Sequence, residues 1–333
     1  MLQVHLEIYR KSIVIFADLQ VPTGEIYCLY GPSAGGKSSI LAAIAGFEST
    51  YSTAIISLDE RILVDTTSHP PVHVPIWQRR MVYLEQSARL FPHLTVTENL
   101  LYGTSQVSSK EFAELVAELG LQDYLTYKPS QLSGGLIQRV ALGRALATHP
   151  AVLLLDEPFS ALDWHARHSL QDLLLRLQRR APITMVLVTH QLTEAQRLAD
   201  QIALVDKGHV LQVGTPTHLM ANPISWRAAQ LLGYGWLLPA PGGQAYAIHS
   251  DQIVLGETPE LGPTGQGVVV EIFWREGQRR VRVDLQSPWL ETVEVPLSAS
   301  DGVRLGDLLA LTFVQPPRFS LAQADLPPSQ KTP

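Results

Sequence analysis

At 333 residues, 46% of them apolar, the chain is too long for one ordinary domain and has material for two cores. Its net charge of −6 and lack of Lys/Arg clusters argue against a surface that tracks nucleic-acid phosphates. One cysteine, Cys28, excludes an intrachain disulfide framework, and no window approaches the run of apolar residues that a membrane span requires.

The N-terminus has no basic segment followed by an apolar one, so a cytoplasmic chain that meets a membrane only through a partner is expected. Leu2, Val4, Leu6 and Ile8 alternate with polar positions, as do Ile13, Ile15, Ala17, Leu19 and Val21, which predicts an antiparallel hairpin at a sheet edge. A strand over 26–30 follows, with Cys28 as a core thiol. Next come GPSAGGKSS (Gly31, Pro32, Ser33, Ala34, Gly35, Gly36, Lys37, Ser38, Ser39) and a helix carrying Ile40, Leu41 and Ile44, closed by Gly46. Strand, glycine loop and helix in this order fit G-x-x-x-x-G-K-[ST]. Successive N–H groups can curl around a β-phosphate, Lys37 can reach the β- and γ-phosphates, and the Ser38 hydroxyl can ligate magnesium.

Residues 87–130 read as a mainly helical insertion. Thr95 with Glu98 fits a capping box, KEFAELVAELGLQDYL is amphipathic, and LFPHLTV (Leu90 to Val96) is an apolar edge suited to docking or to internal packing. In QLSGGLIQRVALGRAL, Ser133 is a natural N-cap, and Gly134 and Gly135 place bare N–H groups at a helix start, where anions bind. AVLLLDEP is a buried parallel strand ending in two carboxylates. Asp156 there can hold magnesium through water, and Glu157 can orient and deprotonate an attacking water. TMVLVTH brings His190 to the same sheet edge. His165 and His168, a turn apart, read as a solvated helix face, because no third metal ligand is evident. Beyond LLPAPGGQAYAIH, a Pro/Gly boundary, the runs 268–273, 281–285, 292–295 and 308–313 alternate between turn signals and predict a small β-barrel; 321–333 reads as a disordered tail.

These motifs together resemble the nucleotide-binding subunit of an import-type ABC transporter, strongly over about residues 1–235. Residues 31–39 match that family's Walker A loop, 132–136 its signature motif, 152–157 its Walker B strand, Ser160 to Asp163 its D-loop, His190 its switch histidine and Gln86 its Q-loop glutamine. The resemblance implies an α/β P-loop NTPase core (1–235) with a helical subdomain at about 87–135, and an oligonucleotide-binding-like (OB-like) β-barrel regulatory domain over 236–320. It implies ATP and Mg2+ as cofactors, with Ser38, Gln86 and Asp156 at the metal and Glu157, His190 and Gln86 in catalysis. A head-to-tail homodimer is implied, in which Ser133, Gly134 and Gly135 meet a γ-phosphate bound to the partner.

Transmembrane permease subunits, and through them a solute-binding protein, are the implied partners at the cytoplasmic face of the membrane. Tyr9 is the candidate for stacking on adenine, with Phe16 as the other. Leu136 stands where the signature usually has Gln, and Glu85 where an aromatic or apolar residue usually precedes the Q-loop glutamine. Molybdate or sulfate, ahead of ferric iron, is the expected cargo. A soluble ABC ATPase of repair or translation is the alternative; it would usually show a second cassette or a coiled-coil insertion.

Overall fold

The computed structural model describes residues 1–10, 13–48, 51–104, 107–275, 277–298 and 301–320. Two compact units divide the chain, Met1–Pro216 and Thr217–Pro333.

In the first unit β1 (Leu2–Arg10) and β2 (Ile13–Val21) pair antiparallel from Leu2↔Val21 to Arg10↔Ile13. The alternation works as read: Leu2, Val4, Leu6 and Ile8 face the core. β3 (Ile26–Tyr30) leads to α1 (Lys37–Ala45), then to β4 (Thr53–Leu58), β5 (Arg61–Asp65), β6 (Val72–His73) and β7 (Met81–Leu84). Helices α2 (Val96–Leu101) and α3 (Ser109–Leu119) lie in the insertion, and α4 (Gly134–Leu146) follows it. β8 (Val152–Asp156), α5 (Trp164–Arg180), β9 (Thr184–Thr189), α6 (Leu192–Leu198), β10 (Gln201–Asp206) and β11 (His209–Gly214) complete the unit.

All eleven strands form one sheet, ordered β6-β5-β4-β1-β2-β11-β10-β3-β9-β8-β7. The first hairpin is therefore interior to the sheet, not at its edge as its sequence suggested: β4 pairs with the far side of β1, and β11 meets β2 at His209↔Phe16. β10, β3, β9, β8 and β7 run parallel, and every residue of β3, β8 and β9 is buried, which is why these strands read as unbroken apolar runs.

α7 (Pro216–Ala221) spans the division, and after α8 (Trp226–Leu231) the described residues of the second unit are β apart from a 3-10 turn at Ser250–Gln252. A three-stranded sheet joins β12 (Trp236–Ala240), β13 (Gln244–Ile248) and, from the chain end, a short strand at 318–320. The Pro/Gly boundary expected here is thus a hairpin, turned at Gly242-Gly243. β14 (Ile253–Leu255), β15 (Thr264–Arg275), β16 (Gln278–Leu285), β17 (Thr292–Pro296) and β18 (Leu308–Phe313) form the second sheet, in the order β14-β18-β15-β16-β17, and β19 (Arg318–Ser320) is the short strand already placed. The last four of these five include all four alternating runs of the sequence, and the edge strands β14 and β17 lie against each other. The tail at 321–333 lies outside the described residues.

The insertion is organised by one buried side chain. Asn99, in α2, is fully buried; its Oδ1 accepts from Phe91 N (2.9 Å) and its Nδ2 donates to the carbonyls of Phe91 (3.2 Å), Leu94 (3.2 Å) and Thr95 (3.0 Å). Backbone groups that a loop would otherwise leave bare are thereby satisfied. Asn99→Ala removes this hub and leaves the Phe91 N–H without a partner, so a loss of about 2–3 kcal/mol of unfolding free energy is expected. It should show as a lowered urea midpoint at unchanged slope. A wild-type midpoint would mean that other contacts hold the loop.

Candidate functional site

Because β3, β9, β8 and β7 are parallel neighbours, their carboxyl ends share one edge, where open α/β sheets bind ligands. The glycine loop leaves β3 there. Gly31 has no room for a side chain: a Cβ would lie 1.9 Å from the Val205 carbonyl oxygen. Gly36, the N-cap of α1, sits at φ 99° beside Gly208, and Gly208 N donates to Gly35 O (2.8 Å). Ala34 also takes a left-handed φ, 62°. The Lys37 ammonium, 4% exposed, folds back onto the carbonyls of Gly31 (2.9 Å) and Pro32 (2.7 Å). Burial lowers its pKa against the pull of Glu157 and Asp156. Ser33 to Ser39, with Ile15 and Glu157, line one cavity.

Ser38 Oγ, in the first turn of α1, donates to Asp156 Oδ1 (2.8 Å), and the Tyr83 hydroxyl donates to Asp156 Oδ2 (2.8 Å). Burial, then its bond to Asp156, raises the Tyr83 pKa, so the phenol stays a donor. A hydroxyl and a carboxylate this close are a hard-oxygen pair that suits magnesium. Glu157 turns the other way. Its φ of 45° is left-handed, a strain of about 1–3 kcal/mol; Glu157 N donates to Val188 O (3.1 Å), and Ser160 N and Oγ donate to Glu157 O (3.2 and 3.0 Å). The carboxylate reaches the cavity, with Oε1 3.2 Å from His190 Nδ1. Gln86 Nε2 donates to Ser160 Oγ (3.1 Å), which links the end of β7 to the end of β8.

Lys37, Ser38, Asp156, Glu157, His190 and Gln86 are therefore brought to one edge. Tyr9 is not among the residues that line this cavity: it lies on the outer face of β1, 60% exposed, with its phenol bonded to Glu7. Phe16 follows the cavity residue Ile15, and Phe16 N donates to Gly208 O (2.8 Å). Ser133, Gly134 and Gly135 also lie outside the cavity of their own chain. Ser133 caps α4 through Leu136 N (3.4 Å), and both it and Gly134 are exposed. Gly135 has a reason within the chain to be bare, since a Cβ would lie 3.1 Å from Ala166 Cβ; at Gly134 the nearest atom would be 3.9 Å away.

Sequence reasoning missed three residues here. Tyr83 is one, signalled only by a hydroxyl in the apolar run MVYL. Ser160, read only as part of a turn, joins Gln86 to Glu157. Arg167 bonds Leu162 O (3.3 Å) and Gln191 Oε1 (3.1 Å), tying the turn after Glu157 to the residue beside His190. Glu85, unexpected on sequence grounds, pairs with Arg89 four residues on (3.2 Å). His168 packs against the Trp164 ring and bonds the Trp164 carbonyl (2.9 Å), and no group of three or more His, Cys, Asp or Glu side chains placed to hold a metal occurs among the described residues.

The model of the ABC transporter family matches residues 16–160. The Fe(3+) ions import ATP-binding protein FbpC of Pseudomonas fluorescens is 40% identical over 246 residues, 73% of this chain and 67% of that protein. The molybdenum import ATP-binding protein ModC of Pasteurella multocida is 38% identical, covering 67% of this chain and 63% of ModC. The spermidine/putrescine import ATP-binding protein PotA of Thermobifida fusca is 40% identical, covering 73% and 64%. The matches thus span about two thirds of these relatives' lengths. A solved ATP-binding cassette, dimeric in a post-hydrolysis state with ADP and Pi, resembles this chain at TM-score 0.54 and 27% identity, over 65% of this chain and 99% of that one. A nucleotide-shaped loop, a carboxylate pair beyond it and relatives at this level of identity have one common reading: the chain is an ATPase of the ABC transporter family.

Proposed function

We propose that this chain is the ATP-hydrolysing subunit of an ABC importer, working as a homodimer beneath transmembrane permease subunits at the cytoplasmic face of a membrane. The observation that carries the proposal is a mismatch: Lys37, Ser38, Asp156, Glu157 and His190 meet at one edge, while Ser133 and Gly134 stand exposed and outside that cavity. A signature helix start with nothing of its own to bind suits the nucleotide of a second copy.

In this reading residues 31–39 cradle the phosphates of ATP, and Ser38, Asp156 and Gln86 hold the magnesium. Glu157 accepts the proton of the attacking water, and His190, 3.2 Å away, fixes that carboxylate's direction. Residues 1–235 act as the ATPase domain, with 87–135 as its helical subdomain, and 236–320 as an OB-like regulatory domain.

No helix among the described residues is long and apolar enough to cross a membrane, so attachment is assigned to the permease. For cargo we retain a small inorganic ion, a molybdate- or sulfate-type oxyanion or ferric iron. The relatives named for iron and molybdenum support it, while the one named for polyamines matches as well and leaves the choice to the permease and solute-binding protein. A soluble ATPase of repair or translation is disfavoured by the import names of these relatives.

Glu157→Gln removes the base and keeps the phosphate loop, so ATP turnover should fall about 10²–10⁴-fold while an ATP-bound dimer accumulates on size exclusion. Near-normal turnover would sink the assignment of Glu157.

The shared site is tested with mixed dimers. Ser133→Arg fills the space meant for a γ-phosphate, and Lys37→Ala disables the loop that holds it. In a co-purified dimer with one variant of each kind, both lesions fall in the same composite site and the other site is intact. ATP-driven association should persist there and be lost in both parent homodimers. If the Ser133→Arg homodimer still closes on ATP, these residues do not face the partner's nucleotide.

A further inference from the structure

We propose that Tyr83 is a positioning residue for the metal-binding carboxylate: its hydroxyl holds one oxygen of Asp156 so that the other is presented beside the Ser38 hydroxyl. This rests on the reading of Asp156 as a magnesium ligand.

The geometry is specific to a tyrosine. Tyr83 on β7 pairs in register with Leu154 on β8, so Asp156 lies two residues further along the neighbouring strand, about 6.6 Å by strand rise. A serine or threonine at position 83 could not span that distance, and a phenol can. Phe47 packs against the ring, with centroids 5.4 Å apart. Asp156, 8% exposed, therefore has each oxygen assigned: Oδ1 to Ser38 and Oδ2 to Tyr83, both at 2.8 Å. A carboxylate torsion is otherwise broad and two-fold. The donor on Oδ2 is neutral, so the full negative charge is left for a cation. Loss of such outer partners typically costs 10–100-fold in metal affinity.

The test measures metal and nucleotide separately. With the full chain and ATP present, Mn2+ binding is followed by electron paramagnetic resonance, and ATP affinity is measured in EDTA. Tyr83→Phe, nearly isosteric, should weaken Mn2+ about tenfold or more and leave the ATP affinity in EDTA unchanged. Mn2+ affinity within twofold of wild type overturns the proposal. An equal fall in metal-free ATP affinity also overturns it, by showing that the hydroxyl merely supports the core. Asp156→Asn runs in parallel. If it keeps wild-type Mn2+ affinity, the reading of Asp156 fails and this inference with it; if it loses Mn2+ while Tyr83→Phe does not, only the inference fails.

Discussion

The arrangement depends on a close approach of bare backbone. A Cβ at Gly31 would sit 1.9 Å from the Val205 carbonyl oxygen, so any side chain there would push the loop off the end of β10. With glycine, the loop packs onto the β10–β11 turn, and Gly208 bonds Gly35 on one side and Phe16 on the other. One turn thus fixes the phosphate loop to the sheet's antiparallel half, while β3 ties it to the parallel half. These contacts hold the loop backbone in one place, and a loop so held loses little freedom if it binds the phosphates proposed for it.

From that fixed loop the rest follows in short steps. α1 starts at Lys37, whose ammonium is trapped against two loop carbonyls, and the next residue, Ser38, faces the end of β8. There two adjacent carboxylates are sent in different directions by backbone alone. Asp156 ends the strand and is taken by Ser38 and Tyr83; Glu157, at φ 45°, swings into the cavity towards His190. Strain at a single residue sends apart two carboxylates, the proposed magnesium ligand and the proposed base, that would repel each other at one spot. The bonds of Glu157 to Val188 and Ser160 offset it.

Much of this was legible because burial on both faces writes itself plainly: β3, β8 and β9 are continuous apolar runs, and their ends carry the site. β4 and β5 were not legible. Ile55 and Ile62 point outward, 39% and 46% exposed, and blur the alternation that marks a half-buried strand. The edge position expected for the first hairpin failed for the same reason, since the strand that covers β1 had not been read. In the second unit, Pro239 lies within β12 and Gly242-Gly243 makes the hairpin turn, so residues that signal a boundary also serve a strand pair. Tyr83 was invisible because its partner lies 73 positions away and is set only by the β7–β8 register.

The signature glycines show how packing and binding can ask for the same residue. Gly135 is accounted for within the chain by Ala166, whereas at Gly134 a Cβ would meet nothing nearer than 3.9 Å, so only Gly134 is left for the proposed phosphate contact to explain. Further along α4 the helix is tied inward: Gln138 Nε2 donates to Gln86 O (3.4 Å), Arg139 to Leu119 O (2.9 Å) and Ser169 Oγ (2.6 Å), and Arg144 to Arg89 O (2.6 Å) while lying over the Phe91 ring. The helix is thus bonded at its body to the segment 86–91, while Ser133 and Gly134 at its start are exposed. In the proposed dimer, a phosphate drawn against Ser133 and Gly134 would bear directly on Gln86 and on the apolar edge beside it, without passing through a flexible loop.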